Sequence, residues 1–418
     1  MKYVAAMLRR IKGMNEKAKR FLTDYRTLLG LWLLIGVCAA IFKMHNHNNF
    51  LIFRGVFWHT IDQLPLFIHY PAEYGDMNHY GPLFSLVIAP FAVVPEWLGL
   101  IMWDVALALF LYVAIRNLAP QPSTLNPQPS TFNPQPSTLE IFTLWFCAHE
   151  LLTGLFMQQF NVAIAAIIIL SFILIERERD FTAAFFIILG TFVKLYGIVG
   201  LAFFFFSRHK GRFVLALLFW SVVMFVAPML ISSPEYIVGQ YADWYDSLSS
   251  KNAENMSAVG EEIHRIGTNI SLLGMVRRIS GVASYSDLWL IGGGLVLFLL
   301  PYLRLAQYRN TAFRLTLLAS VLMFTVLFST GSESSSYIIA FCGVSIWYCC
   351  APWKRNGWDI ALLVFVFVLS SLSPSDLFPA YLRKEWVQPY ALKALPVTIV
   401  WFKLCWEMMR RDYSTSLT

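Results

Sequence analysis

From Leu28 to Trp406 the chain alternates apolar runs, long enough or nearly long enough to cross a bilayer, with short polar or basic intervals. The runs lie at about 28–42, 97–117, 140–157, 161–175, 212–231, 287–303, 313–329, 336–351, 357–372 and 388–406. A helix rises about 1.5 Å per residue, so roughly 20 such residues cover a hydrocarbon layer of about 30 Å. The expected fold class is therefore all-α, a polytopic integral membrane protein. Composition agrees, since 57% of the 418 residues are hydrophobic and only 14% charged, too little polar surface to coat a water-soluble globule of this size. A single membrane domain over 1–418 is expected, without a separate soluble domain.

The net charge of +7 is spread through clusters between the runs and forms no single patch, which argues against nucleic acid and for membrane orientation. Met1 to Arg26 carries eight Lys or Arg, and the apolar run after it lacks a small-residue cleavage site, so it reads as a retained anchor. Two segments need argument. Residues 81–95 are short and carry Pro82, Pro90 and Pro95, which suits a juxtamembrane or re-entrant piece. Residues 181–207 have Lys194 midway and basic residues on both flanks, at 176–180 and 208–212. A single crossing would strand one flank outside, whereas two short helices meeting at Lys194 keep both inside. That choice gives about twelve spans in the cell's inner (plasma) membrane, with both termini cytoplasmic. The outer face receives 43–96, the turn at 158–161, Lys194, 232–286, 329–336 and 373–387. The six cysteines all lie in apolar stretches and read as small core residues.

Residues 121–139 repeat Gln-Pro-Ser-Thr-Leu-Asn-Pro with little change. Such a segment cannot pack a core, and 119–139 is expected to be a flexible cytoplasmic linker rather than a recognition element.

Polar residues that can do chemistry gather on the outer side. A transport pathway would set them near the midplane, in two similar halves, and the chain has no such internal symmetry; a transporter or flippase for a lipid-linked sugar is the rival reading. Lys194, in Gly-Thr-Phe-Val-Lys-Leu-Tyr-Gly, is an ionisable group at a break between apolar helices. It suits a lipid-linked phosphate, the plainer alternative being a lysine that snorkels at a helix end. Asp62, Glu73 and Asp76 are the acids of the first outer segment. Of these, Glu73 and Asp76 stand close to the re-entrant piece and are the better bases, or else solvated loop acids. Five histidines, at 45, 47, 59, 69 and 79, share that segment, but their spacing fits no metal pattern, and neither metal nor cofactor is expected.

Farther on, His264 and Arg265 precede Asn269-Ile-Ser271, where Arg265 suits phosphate and the Asn and Ser suit sugar hydroxyls. A plain helix cap at Asn269 or Ser271 is equally simple. Asn255-Met-Ser257 and Asn269-Ile-Ser271 also match the N-glycosylation sequon, a pattern that counts only in a secretory route. Glu333, in Ser-Thr-Gly-Ser-Glu-Ser-Ser-Ser-Tyr, reads as sugar recognition or as an N-terminal cap.

The order of these features is more informative than any one alone. Asn49-Phe-Leu-Ile-Phe, Tyr80-Gly-Pro-Leu-Phe, Gln159-Phe-Asn161, Lys194-Leu-Tyr, Asn269-Ile-Ser271-Leu and the serine-rich turn at 332–336 together resemble glycosyltransferase family 87. The resemblance implies a GT-C fold and an inverting transfer of a sugar such as mannose from a polyprenyl-phosphate donor to a lipid or glycan acceptor. It implies a loop carboxylate as base, no nucleotide sugar at the site, Lys194 near the donor phosphate, and sugar or acceptor contacts from Asn49, Gln159, Asn161, His264, Asn269, Ser271 and Glu333. Two departures stand out. Asn48 and Asn49 occupy the place just after the first helix where such families commonly carry an acid, which shifts the base to Glu73 or Asp76. The Lys-Pro or Lys-Tyr-Pro pattern reads Lys-Leu-Tyr-Gly.

Overall fold

A computed structural model of the chain describes residues 16–118, 138–257, 269–282 and 286–414. Among these residues the secondary structure is helical, with no strand. In chain order the main helices are α1 (Glu16–Thr23), α2 (Tyr25–Lys43), α3 (Asn48–Asp62), α4 (Phe84–Ala92), α5 (Glu96–Arg116), α6 (Thr138–Phe156), α7 (Asn161–Glu176) and α8 (Asp180–Lys194). They continue as α9 (Lys210–Val226), α10 (Pro234–Ser257), α11 (Leu272–Ser280), α12 (Leu288–Leu299), α13 (Thr311–Leu327), α14 (Tyr337–Cys350), α15 (Gly357–Phe365) and α16 (Ala394–Arg410). Among the described residues four stretches are long and apolar enough to cross a membrane: α2, α5, α6, and α9 with its short extension to Leu230. Shorter apolar helices include α7, α13 and the segments at 288–303, 334–350 and 357–372. Only 22% of the α9 stretch is buried, and Leu215, Leu218 and Val222 stand exposed on it. An apolar face of that kind has lipid as its natural solvent.

The chain forms two compact units. The first comprises Leu34–Leu111 and Leu152–Ala258. Its centre is α7, buried without interruption from Asn161 to Ile169. Beside it α8 ends at Leu195, whose left-handed backbone (φ 52°) lets its N–H reach back to the Thr191 carbonyl. The tight helix Tyr196–Phe206 then returns antiparallel to α8. Gly190 and Gly197 make that return feasible, since a Cβ on Gly190 would sit 2.8 Å from the Gly197 Cα. An aromatic cluster of Phe53, Tyr80, Phe84, Trp103 and Phe160 fills the same unit, with Phe53 4.9 Å from both Tyr80 and Phe84 and Tyr80 stacked 4.7 Å from Phe84.

The second unit comprises Met1–Leu33, Tyr112–Leu151 and Val259–Thr418. Here α13 and α14 are buried along most of their length, close enough that a Cβ on Gly343 would lie 2.8 Å from the Ala319 carbonyl oxygen. Buried charges are paired: Arg355 with Glu407 at 3.1 Å, Lys403 with Asp359 at 3.1 Å, and Arg277 with Asp287 at 2.7 Å. Leaving any one of them alone in an apolar interior would cost several kcal/mol.

Two segments expected from the sequence as outer loops contain helices among their described residues. Residues 43–96 contain α3, whose Phe50, Phe53, Val56 and Phe57 are buried at helical spacing, and 232–286 contain α10 and α11. The re-entrant reading of 81–95 meets a short helix, α4, with Pro90 inside it. Most of the 119–139 repeat linker lies outside the described residues, Thr138 and Leu139 opening α6.

Candidate functional site

In the first unit the last turn of α8 carries Lys194, and three oxygens gather round its ammonium. Asn161 Oδ1 accepts at 2.9 Å, Gln159 Oε1 at 3.1 Å and the Tyr80 hydroxyl at 3.3 Å. The ammonium also lies over the Tyr80 ring, 5.1 Å from its centroid. Tyr80 in turn donates its hydroxyl to Gln159 Oε1 at 2.6 Å and receives the Phe160 N–H at 3.3 Å. Three separate stretches of chain therefore position one cation: the turn at 158–161, the end of α8 and residue 80. The amide and phenol oxygens carry no formal charge and hold the ammonium by hydrogen bonds alone.

The acid-bearing segment reaches the same place. Gly81 donates its N–H to the Val193 carbonyl at 3.0 Å, and a Cβ at that position would overlap the Phe192 carbonyl oxygen and press on the Trp244 ring. Only glycine permits this approach. Asn78 bridges Tyr80 from both sides, accepting its N–H at 2.9 Å and donating to its carbonyl at 3.0 Å. Asn48 Oδ1 accepts the Gly75 N–H at 2.7 Å and so braces the loop of Glu73 and Asp76.

The two carboxylates differ. Glu73 is bound to the buried His59, 3.1 Å from its Nε2, and the Tyr70 ring covers that imidazole at 4.1 Å. Both acids are exposed, and among the described residues Asp76 Oδ1 accepts the N–H of the next residue, Met77, at 2.8 Å. His79 lies within electrostatic reach of both Asp76 and Lys194. Burial and then the Lys251 charge, with a smaller push from Lys194, lower its pKa below the ordinary 6.5, while Asp76 and Glu254 oppose them. Asp62 lies exposed at the end of α3. Asn49 donates its amide to the Met157 carbonyl at 2.7 Å, a tether from α3 to the chain entering the 158–161 turn.

In the second unit Asn269, Ser271 and Glu333 are engaged in shaping the chain. Ser271 caps α11 by accepting the Gly274 N–H at 3.1 Å, and it donates to Asn269 Oδ1 at 2.8 Å. Glu333 and Ser336 form a capping box. Ile270 N–H reaches the Ser332 carbonyl at 2.7 Å, so this segment and the serine-rich turn are joined. His264 and Arg265 lie outside the described residues.

Sequence reasoning passed over Tyr80 as a contact of Lys194, His59 as the partner of Glu73, and the buried cation Lys393. Lys393 Nζ lies 3.3 Å from the buried Glu150 and 2.9 Å from Ser334 Oγ, over the Tyr337 ring at 4.6 Å. Its signal was a lysine inside the apolar run 388–406, the same kind of signal that singled out Lys194.

Comparison with curated proteins finds no match. The family model for glycosyltransferase family 87 matches residues 78–330, a span that takes in Tyr80, Gln159, Asn161 and Lys194. With more than half of its length matched, the chain belongs to glycosyltransferase family 87.

Proposed function

We propose that this membrane glycosyltransferase moves a hexose, mannose in the first instance, from a polyprenyl-phosphate donor to a lipid or glycan acceptor at the outer face of the inner membrane, with inversion at the anomeric carbon. The observation that carries the reading is the convergence of Tyr80, Gln159 and Asn161 on the Lys194 ammonium at a helix break, tied through Tyr80 and Gly81 to the loop of Asp76. In this reading Asp76 is the base, because Glu73 is hydrogen-bonded to His59, whereas Asp76 shares the surroundings of His79 with Lys194.

The Asp76 carboxylate takes the proton of the acceptor hydroxyl as its oxygen bonds to the anomeric carbon. The bond from that carbon to the phosphate oxygen breaks, and its electron pair leaves on polyprenyl phosphate. Lys194 meets the charge that develops there, which is where electrostatic help lowers a barrier. Gln159 and Asn161 face the sugar hydroxyls. The contacts of Asn49, Asn269, Ser271 and Glu333 favour positioning duties over direct contact. The scaffold is a GT-C fold of about twelve spans, with both termini and the 119–139 linker cytoplasmic. Basic clusters between the apolar runs support that orientation.

The test is to mix the reconstituted full chain with synthetic polyprenyl-phosphate mannose and a lipid acceptor and to follow release of polyprenyl phosphate by mass spectrometry. Release that depends on acceptor supports the reading. Donor that crosses the bilayer chemically unchanged belongs to a flippase and overturns it.

A further inference from the structure

Beside the Lys194 site, and wholly within the first unit, a cavity of about 410 Å³ opens between the 65–79 segment and α10. That volume falls within the range of about 300–1,000 Å³ usual for small-molecule sites. Its two walls differ in chemistry. The segment side offers Phe67, Ile68 and Met77, and Ile68 is 47% exposed, an apolar surface turned to solvent. The α10 side offers Asp243, Asp246, Ser247, Ser250 and Glu254, whose spacing of three or four residues sets them along one helical face. Lys251 also lines the cavity, but Glu254 holds it at 2.9 Å.

A free phosphate or phosphate headgroup would meet two carboxylates, Asp243 and Asp246, beside the Lys251–Glu254 ion pair, and an acyl chain would meet a polar wall. A pyranose fits both sides at once. Its C–H face packs on Ile68 and Met77, and its hydroxyls donate to carboxylates, whose hydrogen bonds are roughly twice as strong as neutral ones.

The cavity also adjoins the proposed chemistry. His79 lines it, with Nδ1 3.1 Å from Ser247 Oγ. Its backbone carbonyl accepts the Trp244 Nε1–H at 3.0 Å, and the next residue, Tyr80, is the one whose hydroxyl receives the Lys194 ammonium. We infer that this cavity is the acceptor subsite, built for an uncharged sugar ring that presents one hydroxyl past His79 toward Asp76. The catalytic consequence rests on the transferase reading above; the binding itself does not.

The two are tested separately. Saturation-transfer NMR on the full chain in nanodiscs, with methyl α-mannopyranoside and methyl α-glucopyranoside as probes, needs no donor. The variants are Ser250→Trp, which fills the cavity from an exposed helix position, and Asp246→Ala, which removes a carboxylate that makes no hydrogen bond among the described residues. Saturation transfer to the ring protons of at least one glycoside, reduced at least fivefold in both variants, is the expected result. No transfer in the unmodified protein, or transfer unchanged in either variant, overturns the inference. Where donor turnover is measured alongside, both variants should raise the acceptor KM tenfold or more and leave the donor KM within twofold. A raised donor KM with unchanged acceptor KM would assign the cavity to the donor and sink the proposal.

Discussion

Lys194 shows how a residue picked out by cost becomes a residue defined by geometry. An ammonium in an apolar stretch costs roughly 2.5–3.5 kcal/mol at the centre of a spanning helix, and the chain offsets part of that with Asn161, Gln159 and Tyr80. Replacing Lys194 by Ala in protein that still inserts and elutes as a folded species should lower kcat by about 10²–10³-fold, the usual effect of removing one preorganised electrostatic partner. Near-normal turnover would remove the residue from the mechanism. For the carboxylates, Asp76→Asn should cost about 10²–10⁴-fold in kcat, the range of a general base. Glu73→Gln, which keeps a hydrogen-bonding group beside His59, should cost less than tenfold. Steady-state kinetics on the pair decides the assignment, and the reverse ranking would transfer the role to Glu73. At this scale the sequence singled out Lys194 and the acids, because charge in an apolar neighbourhood is visible in composition alone. It did not distinguish Glu73 from Asp76, because the distinction lies in His59, fourteen residues from Glu73 along the chain.

Among the elements, the approach of the 78–81 segment to the end of α8 depends on Gly81, where any side chain would strike the Phe192 carbonyl. Gly81→Ala should destabilise the protein by about 1–3 kcal/mol, the usual cost of overpacking. It should also lower activity more than an equally destabilising change elsewhere, measured as kcat against the thermal midpoint across a set of variants; a fall in stability alone would refute the coupling. In the second unit, Lys393→Met leaves Glu150 buried without its cation and should cost about 3–5 kcal/mol. The double variant Lys393→Met with Glu150→Leu should recover most of that loss in thermal unfolding, and no recovery would show that the pair does more than neutralise itself. The break at Lys194 was legible as an element because both flanks of 181–207 are basic. Helix α3 was not, since His45, His47 and Asp62 make its ends look like loop and its helicity rests on burying Phe50, Phe53 and Phe57. Helix α10 was hidden in the same way, being too polar to read as a span.

For the whole molecule, alternation of apolar runs with basic clusters set the membrane as solvent and helix as the structure, since a backbone in hydrocarbon must satisfy its own hydrogen bonds. The 119–139 segment breaks that pattern and has the composition of a tolerated linker. Deleting two of its repeats should leave acceptor-dependent transfer within twofold of the full chain, and loss of transfer in a well-expressed deletion would give the segment a function. The sequence by itself determined the all-helical fold class, the apolar character of its main helices and the residues whose charge is expensive, because each of these follows from local composition and helical period. Only the tertiary structure decided that Tyr80, Gln159, Asn161 and Lys194 share one centre, that Asn48 braces the acid loop, and that a half-apolar, half-acidic cavity opens beside them. Those relations join residues up to 174 positions apart, as in the Leu66–Gln240 hydrogen bond that ties the 65–79 segment to α10. Such contacts depend on shape at a distance, which no window of neighbouring residues contains.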